Sequence, residues 1–177
     1  MTRKRQENPQ KAISKESITS SLFSLMHEKP YKEINVTELS ARADLSRRTF
    51  YRHFDTIDDV MAYIIRDTSD LLALFFLKHK ISDFKSAVFL FFTFWEQRKD
   101  FLFLLRKNDL LFMLLRLLLP ETRIKMFGDN IPLDSEYIFY FSSGGAWNLL
   151  VKWLEDGAVL SPKEMEDIAE KIVTHFK

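Results

Sequence analysis

The stretch NVTELSARADLSRRTFYRHF, residues 35–54, decides the fold. Asn35 has the chemistry of a helix N-cap, and Glu38 three residues on completes a capping-box pattern. Val36, Leu39 and Ala43 recur on one face of a short helix that stops near Ala43. Asp44-Leu45-Ser46 forms a tight turn, and Ser46 caps a second short helix carrying Phe50 and Phe54 at i,i+4. Two short helices about a tight turn are the layout of a helix-turn-helix. Val36, Leu39, Ala43, Leu45, Phe50 and Phe54 can bury the inner face. That leaves Arg47, Arg48, Thr49, Tyr51, Arg52 and His53 outward. So many donors on one short helix are costly to bury, so they face water or an anion.

Outward from this unit the chain reads as helices. Its 4 Gly and 5 Pro stand mostly between periodic apolar segments, Pro120 among them, and no stretch alternates with period two. A first helix over residues 15–28 carries Ile18, Leu22, Leu25 and Met26 and ends at Lys29-Pro30. After the motif come segments at about 58–79, 83–98, 101–106, 109–119 and 135–156. A last helix runs from Pro162 to about Phe176 and opens on Ser161-Pro162-Lys163-Glu164, with Ser as cap, Pro first and Glu third. The expectation is an all-α fold of about nine helices. An N-terminal helix-turn-helix domain of three helices, residues 1–58, precedes a C-terminal helical ligand and dimerisation domain, residues 59–177.

Charge is unevenly spread. The whole chain carries a formal +1, but residues 1–54 hold a net of +5 and the remainder −4. A basic head on an acidic body points to a polyanionic partner for the head. Arg can take guanine O6 and N7 bidentately, while Tyr, Thr and His can donate to phosphate oxygens.

Other classes find little support. With no Cys there are no disulfides, thiolate metal sites or Cys nucleophiles. That agrees with a cytoplasmic location. The start MTRKRQENPQKA has no apolar stretch for a secretory signal. The apolar segments 87–95 and 110–119 fall short of the roughly 18 residues of a membrane span. His27, His79 and His175 have no partners at metal-ligand or triad spacing. Asp58-Asp59 fit the first turn of a helix, complementing its dipole. Gly144-Gly145 lacks a phosphate loop's spacing and suits close helix packing. No catalytic residue, metal ligand or cofactor is expected, and the chain does not read as an enzyme.

Residues 14–60 resemble the DNA-binding domain of the tetracycline-repressor (TetR) family. The likeness rests on Val36-Thr37-Glu38-Leu39-Ser40, Leu45-Ser46, Thr49-Phe50-Tyr51-Arg52-His53-Phe54 and Asp58-Asp59-Val60. FSSGGAWNLLVKWLEDG, followed by SPKEMEDIAEKIV, looks like the last two helices of a subgroup with a short C-terminal domain. The resemblance implies a homodimer on double-stranded DNA. It places the family's contacts on Thr37, Ser46, Arg47, Arg48, Thr49, Tyr51 and His53. Arg47 and Arg48 fall at base-reading positions, and Thr37, Tyr51 and His53 at backbone-holding ones. Arg3, Lys4 and Arg5 form a basic arm. Two positions depart from the pattern. Asp44 replaces the usual turn Gly, and Ile57 stands where a Lys often touches phosphate.

The aromatic-rich remainder has two readings. Phe91, Trp95 and Phe112 belong to a packed core or line a cavity for a small apolar effector. Trp147, Leu150, Trp153 and Leu154, with Ile168 and Ile172, pack within the chain or form a four-helix dimer interface, and the resemblance favours the interface. The functional expectation is an operator-binding repressor released by an effector. The competing reading is a protein of the same fold that binds another regulator and has little DNA affinity of its own.

Overall fold

The computed structural model describes residues 9–129 and 131–175. Among them every regular element is helical. The order is α1 (Pro9–Glu28), a 3-10 turn (Tyr31–Glu33), α2 (Val36–Arg42), α3 (Arg47–Tyr51), α4 (Ile57–Leu77), α5 (Phe84–Glu96), α6 (Lys99–Lys107), α7 (Leu111–Phe127), α8 (Leu133–Glu155) and α9 (Pro162–His175). They form two compact units that divide between Ile65 and Arg66, inside α4.

In the first unit Ile18, Leu22, Leu25 and Met26 of α1 are fully buried with Leu39, Phe50, Val60 and Met61. Helix α1 starts at Pro9, well before the apolar periodicity begins. Its extra turns carry Gln10, Lys11 and an Ile13 that is 65% exposed, so they add little apolar core. Proline at a first helical position costs nothing, because its missing N–H is an orphan there anyway.

The second unit is built around α5, whose most extensive contact is with α9. Phe92, Phe94, Trp95, Leu102, Leu105, Leu114, Leu150 and Ala169 are almost fully buried. Trp153 packs edge-on against Phe92 at 5.4 Å, and its indole N–H donates to the Leu160 carbonyl at 2.8 Å. Ser161 and Glu164 form the capping box that starts α9.

Helix α7 continues through Pro120, which the sequence reading placed in a break. What carries it past the proline is a seam with α4. Ser69 and Thr122 share a buried hydroxyl hydrogen bond of 2.9 Å. Lys125 pairs with Asp70 at 2.5 Å, and Arg66 lies 3.7 Å from Glu121. These tethers offset the backbone bond that proline cannot donate. The helix ends at Gly128, whose φ of 73° a glycine adopts without strain.

Candidate nucleic-acid interface

The two motif helices are set by a turn with defined hydrogen bonds. The Leu45 amide donates to the Ser40 carbonyl at 2.9 Å and the Asp44 amide to that of Ala41 at 3.2 Å. That pair of bonds is a Schellman motif, which needs a left-handed residue at Asp44. Its φ is 55°, a conformation Asp tolerates better than most residues. The departure from glycine therefore keeps the turn.

Both caps form. Asn35 accepts from the Glu38 amide at 3.0 Å. The Glu38 carboxylate pairs with Lys29 instead of returning to the Asn35 amide, so the expected box is half made. Ser46 Oγ accepts from the Thr49 amide at 3.1 Å and lies 3.0 Å from Thr49 Oγ1. Two hydroxyls sharing one hydrogen bond keep one O–H free to donate outward.

Helix α1 braces the motif from behind. Arg42 makes a bidentate pair with Glu28 at 2.7 and 2.8 Å and donates to Ser24 Oγ at 2.7 Å. This guanidinium holds the Glu28 carboxyl below its ordinary range. Ser17 Oγ donates to the Ala43 carbonyl at 2.8 Å, fixing the end of α2 beside the turn.

Phe50 is wholly buried and anchors α3, flanked by Phe54 at 6.1 Å and, edge-on, by Tyr51 at 5.5 Å. With that side pinned, Arg47, Arg48 and Arg52 stand exposed. Among the described residues none of the three is paired with a carboxylate, in contrast to Arg42. Arg47 instead lies over the Tyr51 ring at 6.0 Å, and Tyr51 is 48% exposed. Thr37 is exposed on α2, while Thr49 and His53 are half-buried, the latter with its ring 6.4 Å from Phe54. His53 is thus less outward than the sequence reading has it. The basic arm Arg3-Lys4-Arg5 lies outside the described residues.

The start of α4 is closed to anions. Thr56 donates through its amide and hydroxyl to Asp59 Oδ2 at 2.9 and 2.8 Å, and the Asp59 amide returns to Thr56 Oγ1 at 3.1 Å. Asp58 accepts from the Tyr31 hydroxyl at 2.7 Å. Burial and the neighbouring carboxylate push the Tyr31 phenol far above its ordinary pKa. Sequence reasoning placed Tyr31 in a linker and missed this anchor. Standing alone four residues before the Asn35 cap, its ring carries no periodic signal of its own.

The C-terminal candidates separate. Trp95 is fully buried and meets the half-buried Phe91 edge-on at 6.2 Å. Phe112 is 72% exposed, so it does not share that enclosure. Leu150, Trp153 and Leu154 are at most 2% exposed and pack within the chain, the first of the two readings. Trp147, Ile168 and Ile172 are half-buried. The apolar surface of α8 lies at its other end, on Leu133, Tyr137, Ile138 and Phe141. Among the described residues no helix is long and apolar enough to cross a membrane.

A family model described as bacterial regulatory proteins, tetR family, matches residues 18–64, which run from α1 through α3 into α4. No curated protein matches the chain. The matched residues include the buried Phe50, the two capped helices about the Schellman turn and the exposed arginine row. Residues 18–64 are thereby the helix-turn-helix domain of a tetR-type DNA-binding transcriptional regulator.

Proposed function

We propose that this regulator is a repressor that binds an inverted-repeat operator as a homodimer and leaves it when a small apolar effector binds the C-terminal domain, residues 59–177. The observation that carries the DNA half is the exposed row Arg47, Arg48 and Arg52 on a helix pinned by Phe50. Arg47 and Arg48 read base edges in the major groove, and Thr37, Ser46, Thr49, Tyr51 and His53 hold the phosphate backbone. Two-fold symmetry of the protein requires two-fold symmetry of the operator.

The dimer is supported by the first half of α8. Leu133, Tyr137, Ile138 and Phe141 are 71%, 71%, 65% and 86% exposed. Together they leave on the order of 500 Å² of largely apolar surface in water, a patch size that marks interaction sites on single chains. A standard interface buries roughly 800 Å² per partner, so this face supplies most of one. Gly144 continues the stripe at i+7 from Tyr137, and a side chain added there would meet nothing within 4 Å. The glycine therefore leaves room for a second helix to approach.

Effector release requires that the ligand bind one conformer better than the other. Its support is the aromatic cluster of α5.

The test is a random-sequence selection followed by gel shifts across salt. Arg47→Ala and Arg48→Ala should each cost about 1–3 kcal/mol and relax preference at one base position. An unchanged double variant would refute the base-reading role. One observation favours the competing reading, a protein that binds another regulator: α4 begins with Ile57 and two engaged carboxylates. That reading requires weak binding with no steep salt dependence, against the steep loss expected of a DNA binder.

A further inference from the structure

The three tryptophans are treated differently by the fold. Trp147 is half-buried, and Trp153 is buried with its indole N–H given to the Leu160 carbonyl. Trp95 is 0% exposed, and its Nε1 has no hydrogen-bond partner among the described residues. Indole nitrogen can only donate, and a buried donor left unmatched is uncommon because it loses its water without replacement. Its surroundings offer rings rather than acceptors. Phe91 and Phe94 meet Trp95 edge-on at 6.2 and 5.2 Å. Arg98, on the following turn, is committed to Phe94, with its guanidinium 3.8 Å from the ring and a hydrogen bond of 2.9 Å to the Phe94 carbonyl. That cation is therefore not on offer to a buried anion.

We infer that Trp95 Nε1 is the anchor of the effector site, and that the effector is a small neutral, mostly apolar molecule carrying one carbonyl- or ether-type acceptor. The inference rests on the effector reading above and adds its chemistry. Aromatic walls bind the apolar body, and the lone donor selects the acceptor. Phe91 is half-buried, so the cluster reaches the surface on that side. A charged ligand would have to shed its hydration with no counter-charge in the cluster. Matching the donor should favour an acceptor-bearing ligand over its hydrocarbon counterpart by roughly tenfold or more.

The test uses the full chain labelled with ¹⁵N, in which the 3 tryptophans give separable indole signals. The probes are acetophenone and ethylbenzene, which match in shape and differ in the carbonyl. Acetophenone should move the Trp95 indole signal downfield saturably while that of Trp153 stays. Its dissociation constant should lie roughly tenfold below that of ethylbenzene. Trp95→Phe, read by calorimetry, should bind the two probes alike. If that variant does not fold, the wild-type comparison still decides. Equal affinities, an unmoved Trp95 signal, or a water contact to that N–H persisting at saturation would each overturn the inference. None of these readouts involves DNA. Binding at Trp95 with operator affinity unchanged keeps the site and removes effector release. Release by a ligand that leaves Trp95 unmoved does the reverse.

Discussion

Phe141→Glu separates a protomer surface from a protomer core. Phe141 is 86% exposed, so the substitution removes little intrachain packing, and protomer stability should stay within about 0.5 kcal/mol. In a two-fold assembly through α8 the same ring leaves water once in each subunit. A buried aromatic side chain removes about 150–250 Å², and the lower end of that range gives about 4 kcal/mol per subunit at about 25 cal/mol per Å². Association never returns the whole of that figure, because ordering and imperfect pairing offset it. Even a third of the two-subunit total, about 2.7 kcal/mol, weakens dimerisation a hundredfold. The two introduced carboxylates would also face each other. Sedimentation equilibrium across micromolar concentrations should show dimer for wild type and monomer for Phe141→Glu, with matching thermal unfolding of a monomeric reference. A variant that remains dimeric, or a wild type that is monomeric, would refute the assignment of this face.

Three further outcomes follow from unit one. Tyr51→Phe should weaken binding to all DNA sequences alike, given the phosphate contact proposed for its hydroxyl; a gel-shift change confined to one sequence position would contradict this. At Asp44, where φ is 55°, Asp44→Ala should cost about 1 kcal/mol in urea unfolding, while Asp44→Gly should be near neutral because relieved strain offsets glycine's extra unfolded freedom. Tyr31→Phe should cost about 1.5 kcal/mol near neutrality, the worth of a hydrogen bond to a carboxylate. The Tyr31 pKa is raised, so its contribution is complete below the unfolded value of about 10 and is lost as pH climbs through the folded value. Wild type should therefore lose more stability above pH 10 than Tyr31→Phe, as followed by circular dichroism.

The parts legible in the sequence are those governed by local rules. Helix spacing at Leu39, Ala43, Phe50 and Phe54, the caps at Asn35 and Ser46, and the box at Ser161 are written within a few residues of where they act. They placed the reading helix and predicted that a left-handed turn could survive at Asp44. What stayed hidden needs a partner distant in sequence. Helix α7 passes Pro120 because Ser69 and Asp70 lie beside Thr122 and Lys125. Glu38 leaves its cap because Lys29 is within reach. Leu150 and Leu154 have the same spacing whether they face a partner or their own core, and only three-dimensional burial distinguishes the two. The same holds for Arg42, which looks like its neighbours in sequence yet is bound to Glu28.

The commitment of Arg42, together with the closed start of α4, bears on competition among sites. A head that holds DNA mainly through cations binds every stretch of genome, and the regulator is then diluted over non-specific sequence. Here one exposed arginine of the motif is tied to Glu28, and the start of α4 carries engaged carboxylates. On the proposed interface fewer phosphates would be neutralised, fewer counterions released, and the baseline affinity for arbitrary DNA lowered. The base contacts proposed for Arg47 and Arg48 would then make up a larger share of the total. Occupancy of a true operator depends on the ratio of specific to non-specific affinity, so a weaker grip on the backbone sharpens the choice of site.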